Sequence, residues 1–199
     1  TVATSGTTTA AAASVERLAL PGNVLPGVGG LNVELSSTAL VGLGEGARYL
    51  VDYPYGCAEQ RASAGLALAL ASDLGGAFSM SGIEPAGYRA RASALLADLS
   101  RFQCGTGGFA LWAGSCSTSS VYLTAYVLQV MKIADDLEIG SDTAAVNRAL
   151  DYLETELRRT IPPGQVQWQP VWTSSQAFAV KVLAEYGRNQ DANITRLVG

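Results

Sequence analysis

A thiol and a carboxamide, the two groups that can condense into a thioester, stand three residues apart at Cys57 and Gln60. They lie in Tyr53-Pro54-Tyr55-Gly56-Cys57-Ala58-Glu59-Gln60, at the head of a stretch with helical apolar spacing. One helical turn therefore brings the sulfur and the side-chain carbonyl together. A helix N-terminus favours the thiolate, the nucleophilic form of a cysteine. The sulfur displaces ammonia from the Gln60 amide and closes a small macrocycle, and Gly56 leaves room for the tight backbone approach such a ring requires. A thioester carbonyl is more electrophilic than an amide and hydrolyses in water, so it must be kept dry until it is used. Tyr53 and Tyr55 flank the pair in sequence, and Trp112, Tyr122 and Tyr126 are candidate shields. The plain alternative is an ordinary buried thiol at a helix start, which is what a bare Cys-x-Glu-Gln usually is.

The rest of the inventory narrows the chemistry. The 199 residues contain no histidine, which removes the commonest general base and metal ligand and every Ser-His-Asp or Cys-His mechanism. A cysteine protease is excluded. Thirteen basic against 17 acidic residues give a net charge of -4, with no cationic excess for a row of phosphates, so nucleic acid is not an expected partner. Three cysteines without Cys-x-x-Cys or histidine make no zinc site, and neither metal nor cofactor is expected. Cys104 and Cys116 bracket the Gly-rich segment 105–114; with Cys57 engaged, they fit a disulfide and an oxidising compartment, the alternative being two free thiols.

Elements must hold these residues in place. With 48% hydrophobic and 15% charged residues, the chain is long and apolar enough for a globular core. No stretch reaches the ~18 to 20 apolar residues of a membrane-spanning helix, so no direct membrane contact is expected. Residues 1–17, rich in Thr, Ser and Ala, read as a flexible leader or linker. In 18–50, Leu31, Val33 and Leu35 alternate with polar residues, predicting a strand in a segment from an adjoining β domain. From 51 to 199 the pattern is helical: 58–74, 88–99, a helix capped by Ser119 or Ser120 to about Leu137, one capped by Asp142, one over 174–186, and one opened by Asp191.

A faint repeat supports stacked hairpins. Thr118-Ser119-Ser120 with Val127-Leu128 returns 55 positions on as Thr173-Ser174-Ser175 with Val182-Leu183, a period of two helices and their loops. Five or six helices are too few to close a ring. The expected fold is thus mainly α, a set of stacked helical hairpins of the kind that close into a ring or curl into a solenoid, here an incomplete ring if a ring at all, with a short N-terminal β segment.

The octapeptide 53–60 resembles the thioester motif of the bacterial alpha-2-macroglobulins, relatives of complement C3, in which Cys-x-Glu-Gln is the signature. Leu20-Pro21-Gly22, the residues 40–50, Gly107-Gly108-Phe109-Ala110-Leu111-Trp112 and Tyr122-Leu123-Thr124-Ala125-Tyr126-Val127-Leu128 extend the likeness from Leu18 to the C-terminus. The resemblance implies an α/α toroid holding the thioester in an apolar pocket, with Cys57 as the sulfur, Gln60 as the acyl donor and Glu59 in a capping or positioning role. It also implies protease inhibition by a single-use bond rather than enzymatic turnover. A protease cuts a bait region elsewhere in the parent chain, and one of its lysine amines attacks the exposed thioester. Other domains of the same parent are then partners, and the location is periplasmic or extracellular, with any membrane anchor in another part of the parent. Some relatives carry a histidine that passes the acyl group to hydroxyls; the segment 165–172 aligned there offers Gln167, Trp168 and Gln169, which predicts direct attack by amines.

Two other classes share features of the sequence. A thioester-bearing surface adhesin would use the same Cys57 and Gln60 without proteolytic priming. An isoprenoid-type toroid enzyme would use acidic residues such as Asp135, Asp136 and Glu138, but their spacing fits a solvated helix face better. Gln103 before Gly107-Gly108-Phe109 is read as a packing turn between helices, and Asn193-Ile194-Thr195 as a chance glycosylation triplet.

Overall fold

The computed structural model describes residues 4, 6–8, 13–19, 21–23, 25–31, 33, 41–75, 78, 80, 82–160 and 169–198. The chain divides into two units, Thr1–Leu35 and Ser36–Gly199. In the first, Thr4 Oγ1 donates to Glu16 Oε2 at 2.9 Å and Ser14 Oγ donates to Glu16 Oε1 at 3.2 Å.

The second unit is helical: α1 (Val41–Asp52), α2 (Ala58–Leu74), α3 (Tyr88–Asp98), α4 (Val121–Asp136), α5 (Thr143–Leu157), α6 (Gln169–Glu185) and α7 (Asp191–Val198). Local chemistry sets several ends. Ser120 Oγ accepts from Leu123 N–H at the start of α4, and Asp142 Oδ1 accepts from the amides of Ala144 and Ala145 at 2.9 and 3.1 Å at the start of α5. α2 stops at Gly75 and α6 before Gly187, both at positive φ. The turn from α4 to α5 passes through Glu138 at φ 58°, and Arg89 of α3 donates to the carbonyls of Leu137 and Glu138 there. Asp135 accepts from Ser141 and Asp136 pairs with Lys132, so these acidic residues finish a helix end.

α2 packs against α4 and α4 against α6, while α3 lies on α2, α5 on α4 and α6, and α7 on α6. Two rows of alternating helices built from successive hairpins are the order of an α/α toroid. One core fills the space among α2, α4, α5 and α6 with Ala58, Ala62, Phe109, Val127, Leu128, Leu153 and Leu183 among its buried members. A second lies between α2 and α3 around Leu68, Phe78, Met80 and Tyr88, whose hydroxyl accepts from the Met80 amide at 2.7 Å. Gly65 lets α3 come close: a Cβ there would stand 2.9 Å from Leu96 Cδ2. Gln103 is the packing turn its context suggested, since its Nε2 donates to the carbonyls of Gly107 and Ala145 and its Oε1 accepts from Arg148.

Two expectations differ. Among the described residues no strand forms: Leu31 and Val33, two of the three alternating apolar residues, are 74% and 66% exposed and lie outside any strand, while Leu35 falls outside the described residues. Alternation makes a strand only where a ladder partner satisfies its backbone groups, and no described segment supplies one. The end of the 18–50 segment is instead helix α1, three of whose residues are glycine; Ala47 and Val51 pack onto the second core and hold a helix that propensity alone would not favour. α6 also begins at Gln169, ahead of the expected Ser174, with Pro170 in its first turn, where the missing N–H costs nothing.

Candidate functional site

Cys57 sits where the chain leaves an extended segment and enters α2. It is the N-cap, at φ -70° and ψ 164°, and is 6% exposed. Cys57 and Gln60 form a reciprocal capping box, in which the Cys57 sulfur faces the Gln60 amide and the Gln60 side chain turns back to the N-cap. Gln60 Oε1 accepts from the Cys57 N–H at 3.3 Å. The thiol is free and buried. At this helix start the Gln60 carboxamide satisfies the Cys57 N–H and the Cys57 side chain lies toward the Gln60 backbone N–H, one of the donors that a helix N-terminus leaves open.

The surrounding contacts fix that turn. Ala58 N–H donates to the Leu111 carbonyl at 3.0 Å, tying the first residue of α2 to the loop 105–115, and that loop is closed by a disulfide between Cys104 and Cys116, with Cα atoms 5.4 Å apart. Arg61 reaches back along the chain: its Nε donates to the Gly56 carbonyl at 3.1 Å, its Nη1 pairs with Asp98 at 2.7 Å, and its guanidinium lies 5.8 Å over the Phe102 ring. Gly56 also borders this guanidinium. A Cβ on Gly56 would come within 2.9 Å of Arg61 Nη2, so the glycine makes room for the guanidinium.

The aromatic residues divide into two groups. Tyr126 is half-buried, its hydroxyl 2.7 Å from that of Ser63, which also donates to the Glu59 carbonyl. Tyr122 stacks on Tyr126 at 6.5 Å and contacts Phe178 of α6 at 5.7 Å. Tyr53 touches both Tyr49 and Tyr55. Tyr55, two residues before Cys57, and Leu111 and Trp112, in the loop bonded to Ala58, are 64%, 43% and 52% exposed. Glu59 is exposed in the first turn of α2, where its charge favours the helix dipole, and the cap is made by Gln60 instead. Of the segment 165–172, residues 165–168 lie outside the described residues, and Gln169 and Pro170 are exposed at the start of α6. Among the described residues no group of three or more potential metal ligands comes together, and no helix is long and apolar enough to cross a membrane.

Arg61, Asp98, Phe102 and the Leu111 carbonyl were not legible as site residues. Only Arg61 left a signal, a cation directly after the carboxamide; Asp98 and Phe102, which hold it, come from other elements.

The chain is 28% identical over 173 residues to an alpha-2-macroglobulin of Xylella fastidiosa (strain Temecula1 / ATCC 700964), covering 85% of this chain and 10% of that protein. Its fold superposes with a TM-score of 0.67 on Salmonella alpha-2-macroglobulin reacted with methylamine, at 26% identity over 78% of this chain and 10% of the other. The chain is similar to bacterial alpha-2-macroglobulins. The native conformation of Escherichia coli alpha-2-macroglobulin agrees, with a TM-score of 0.65 and 25% identity over 78% of this chain and 10% of that one. No family model matches the chain. The chain therefore spans about a tenth of the length of the alpha-2-macroglobulins it resembles.

Proposed function

We propose that this chain is the thioester domain of a bacterial alpha-2-macroglobulin-like protease inhibitor. The observation that carries the reading is the Cys57–Gln60 capping box, with a free, buried thiol turned to the residue whose side-chain oxygen is held at 3.3 Å from the Cys57 amide. In the reaction proposed, the Cys57 sulfur attacks Gln60 Cδ, the C–N bond breaks, and the thiol proton leaves with the nitrogen as ammonia. A lysine amine of an attacking protease then adds to the same carbon. The C–S bond breaks, the proton passes to sulfur, and the protease is held through an amide while Cys57 returns as a free thiol. The bond is used once, so the protein is an inhibitor and not a catalyst. The absence of histidine in the chain supports direct attack by amines over transfer to hydroxyls.

The similarity to a Salmonella protein solved after reaction with methylamine, itself a small amine, is in keeping with this reading. Other domains of the parent would supply further cover over Tyr55, Leu111 and Trp112, and the setting would be periplasmic or extracellular, in keeping with the Cys104–Cys116 disulfide. The test is intact mass of the native full-length protein. The expected mass is one ammonia below that of the sequence, and methylamine should add to Gln60 and release one alkylatable thiol at Cys57. A native protein without the ammonia deficit, with Gln60 unmodified and Cys57 fully alkylated, would remove the thioester reading.

A further inference from the structure

We propose that Arg61 is a positioning residue for the thioester: it orients the Gly56–Cys57 peptide so that the Cys57 N–H acts as the oxyanion donor for every attack on the Gln60 carbonyl carbon. The inference rests on the thioester reading and adds to it a group that neither the motif nor the similarity to known proteins assigns.

The geometry is that of one peptide unit held at both ends. Its carbonyl, on Gly56, accepts from Arg61 Nε at 3.1 Å, and its N–H, on Cys57, donates to Gln60 Oε1 at 3.3 Å. The guanidinium cannot swing away freely, because Nη1 is paired with Asp98 at 2.7 Å and its plane is near Phe102. Gly56 alone leaves the space it occupies. A cation bonded to the carbonyl polarises the amide, which strengthens the N–H as a donor on the other side. When sulfur attacks Gln60 Cδ in forming the bond, or an amine or water attacks it in breaking the bond, negative charge develops on the oxygen that this N–H already faces. A fixed donor aimed at that oxygen lowers the barrier, and the 3.3 Å contact shortens as the charge grows. The helix N-terminus adds its own positive potential at the same place.

Two roles can be told apart. A residue that only braces the fold, once removed, would loosen the turn and let water in, so hydrolysis would rise. A residue that orients the oxyanion donor would, once removed, slow aminolysis and hydrolysis alike, since both pass through the same oxyanion.

The experiment uses the full-length protein, with wild type, Arg61→Gln, Arg61→Lys and Gly56→Ala. Intact mass first gives the fraction of each carrying the ammonia deficit, and the rates of methylamine uptake and of hydrolysis are then measured per mole of intact thioester. The expected result for Arg61→Gln is a smaller thioester fraction and both rates lower by roughly tenfold or more, with partial recovery in Arg61→Lys. Gly56→Ala, whose methyl displaces the guanidinium without altering any charge, should fall in the same way. Rates equal to wild type in Arg61→Gln, or hydrolysis raised while aminolysis is unchanged, would overturn the inference. If Arg61→Gln does not fold, Gly56→Ala decides by the same two rates. A wild type without the ammonia deficit would instead sink the thioester reading itself, so the two failures are distinct.

Discussion

The hydroxyls of Ser63 and Tyr126 stand 2.7 Å apart and join the second turns of α2 and α4 just beyond Gln60. Tyr126 stacks on Tyr122, which contacts Phe178, so one polar contact and two aromatic ones link α2, α4 and α6 in a row. Hairpin arrays depend on such lateral contacts, because each repeat packs only on its neighbours.

Tyr126→Phe tests how much that link holds. Ser63 keeps the Glu59 carbonyl as a partner, so no buried group is orphaned and the loss should be limited to one net hydrogen bond, about 0.5–1.5 kcal/mol. Urea denaturation of Tyr126→Phe, Ser63→Ala and the double variant should give a coupling energy in the same range. A coupling near zero would mean that stacking alone carries the contact.

The disulfide joins fold to site. Cys104 and Cys116 are 12 apart in sequence, and a loop of that size restricts the unfolded chain by about 3 kcal/mol. The Cys104→Ser/Cys116→Ser variant should lose about 2–3 kcal/mol of stability. It should also show faster hydrogen exchange at the Ala58 amide, because the Leu111 carbonyl that accepts from it sits in the released loop. Unchanged exchange at Ala58 would show that the loop holds its shape without the crosslink.

What the sequence revealed and what it hid follow from range. Cys57 and Gln60 could be paired from spacing because a capping box needs only one turn, and Ser120 and Asp142 could be named as caps for the same reason. The brace on that turn was hidden because Arg61 draws on Asp98 and Phe102 from the end of α3 and the turn after it. Helix α1 was hidden because its glycines break the apolar pattern and it is held by packing of Ala47 and Val51, which no local rule encodes. The alternation at Leu31 and Val33 misled for the opposite reason: a local pattern was present but no described partner strand was. The neighbour that a Cβ on Gly56 would meet, the Arg61 guanidinium, is a tertiary contact that spacing does not reveal.

Stability should fall in alkali through Tyr186. Burial chiefly, with help from the charges of Asp135, Asp136 and Glu185, raises its pKa well above the usual tyrosine value, and its hydroxyl donates to the Leu128 carbonyl at 2.9 Å. Above about pH 10 the unfolded chain releases this proton while the folded one keeps it. The unfolded state then binds fewer protons, and stability declines as pH rises. Tyr186→Phe should be less stable near neutrality by about 1 kcal/mol, yet show a shallower decline between pH 9 and pH 11. Denaturation midpoints across that range give the slope, and parallel declines in both proteins would assign the effect to other groups.

Gln176 sits on α6 at 2% exposure, and among the described residues neither its Oε1 nor its Nε2 has a hydrogen-bond partner. A buried carboxamide without partners has given up its water bonds and gained none, a cost of about 1–3 kcal/mol. Its neighbours along the same helix face, Ala179, Val180 and Leu183, are apolar core residues. Gln176→Met keeps the length of the side chain and removes the polar group, so the expected outcome is a gain of about 1 kcal/mol, read as a higher denaturation midpoint with unchanged m-value. A loss of stability would mean that the carboxamide is satisfied in the folded protein, and its side-chain amide would then show a nitrogen-15 chemical shift typical of a hydrogen-bonded group.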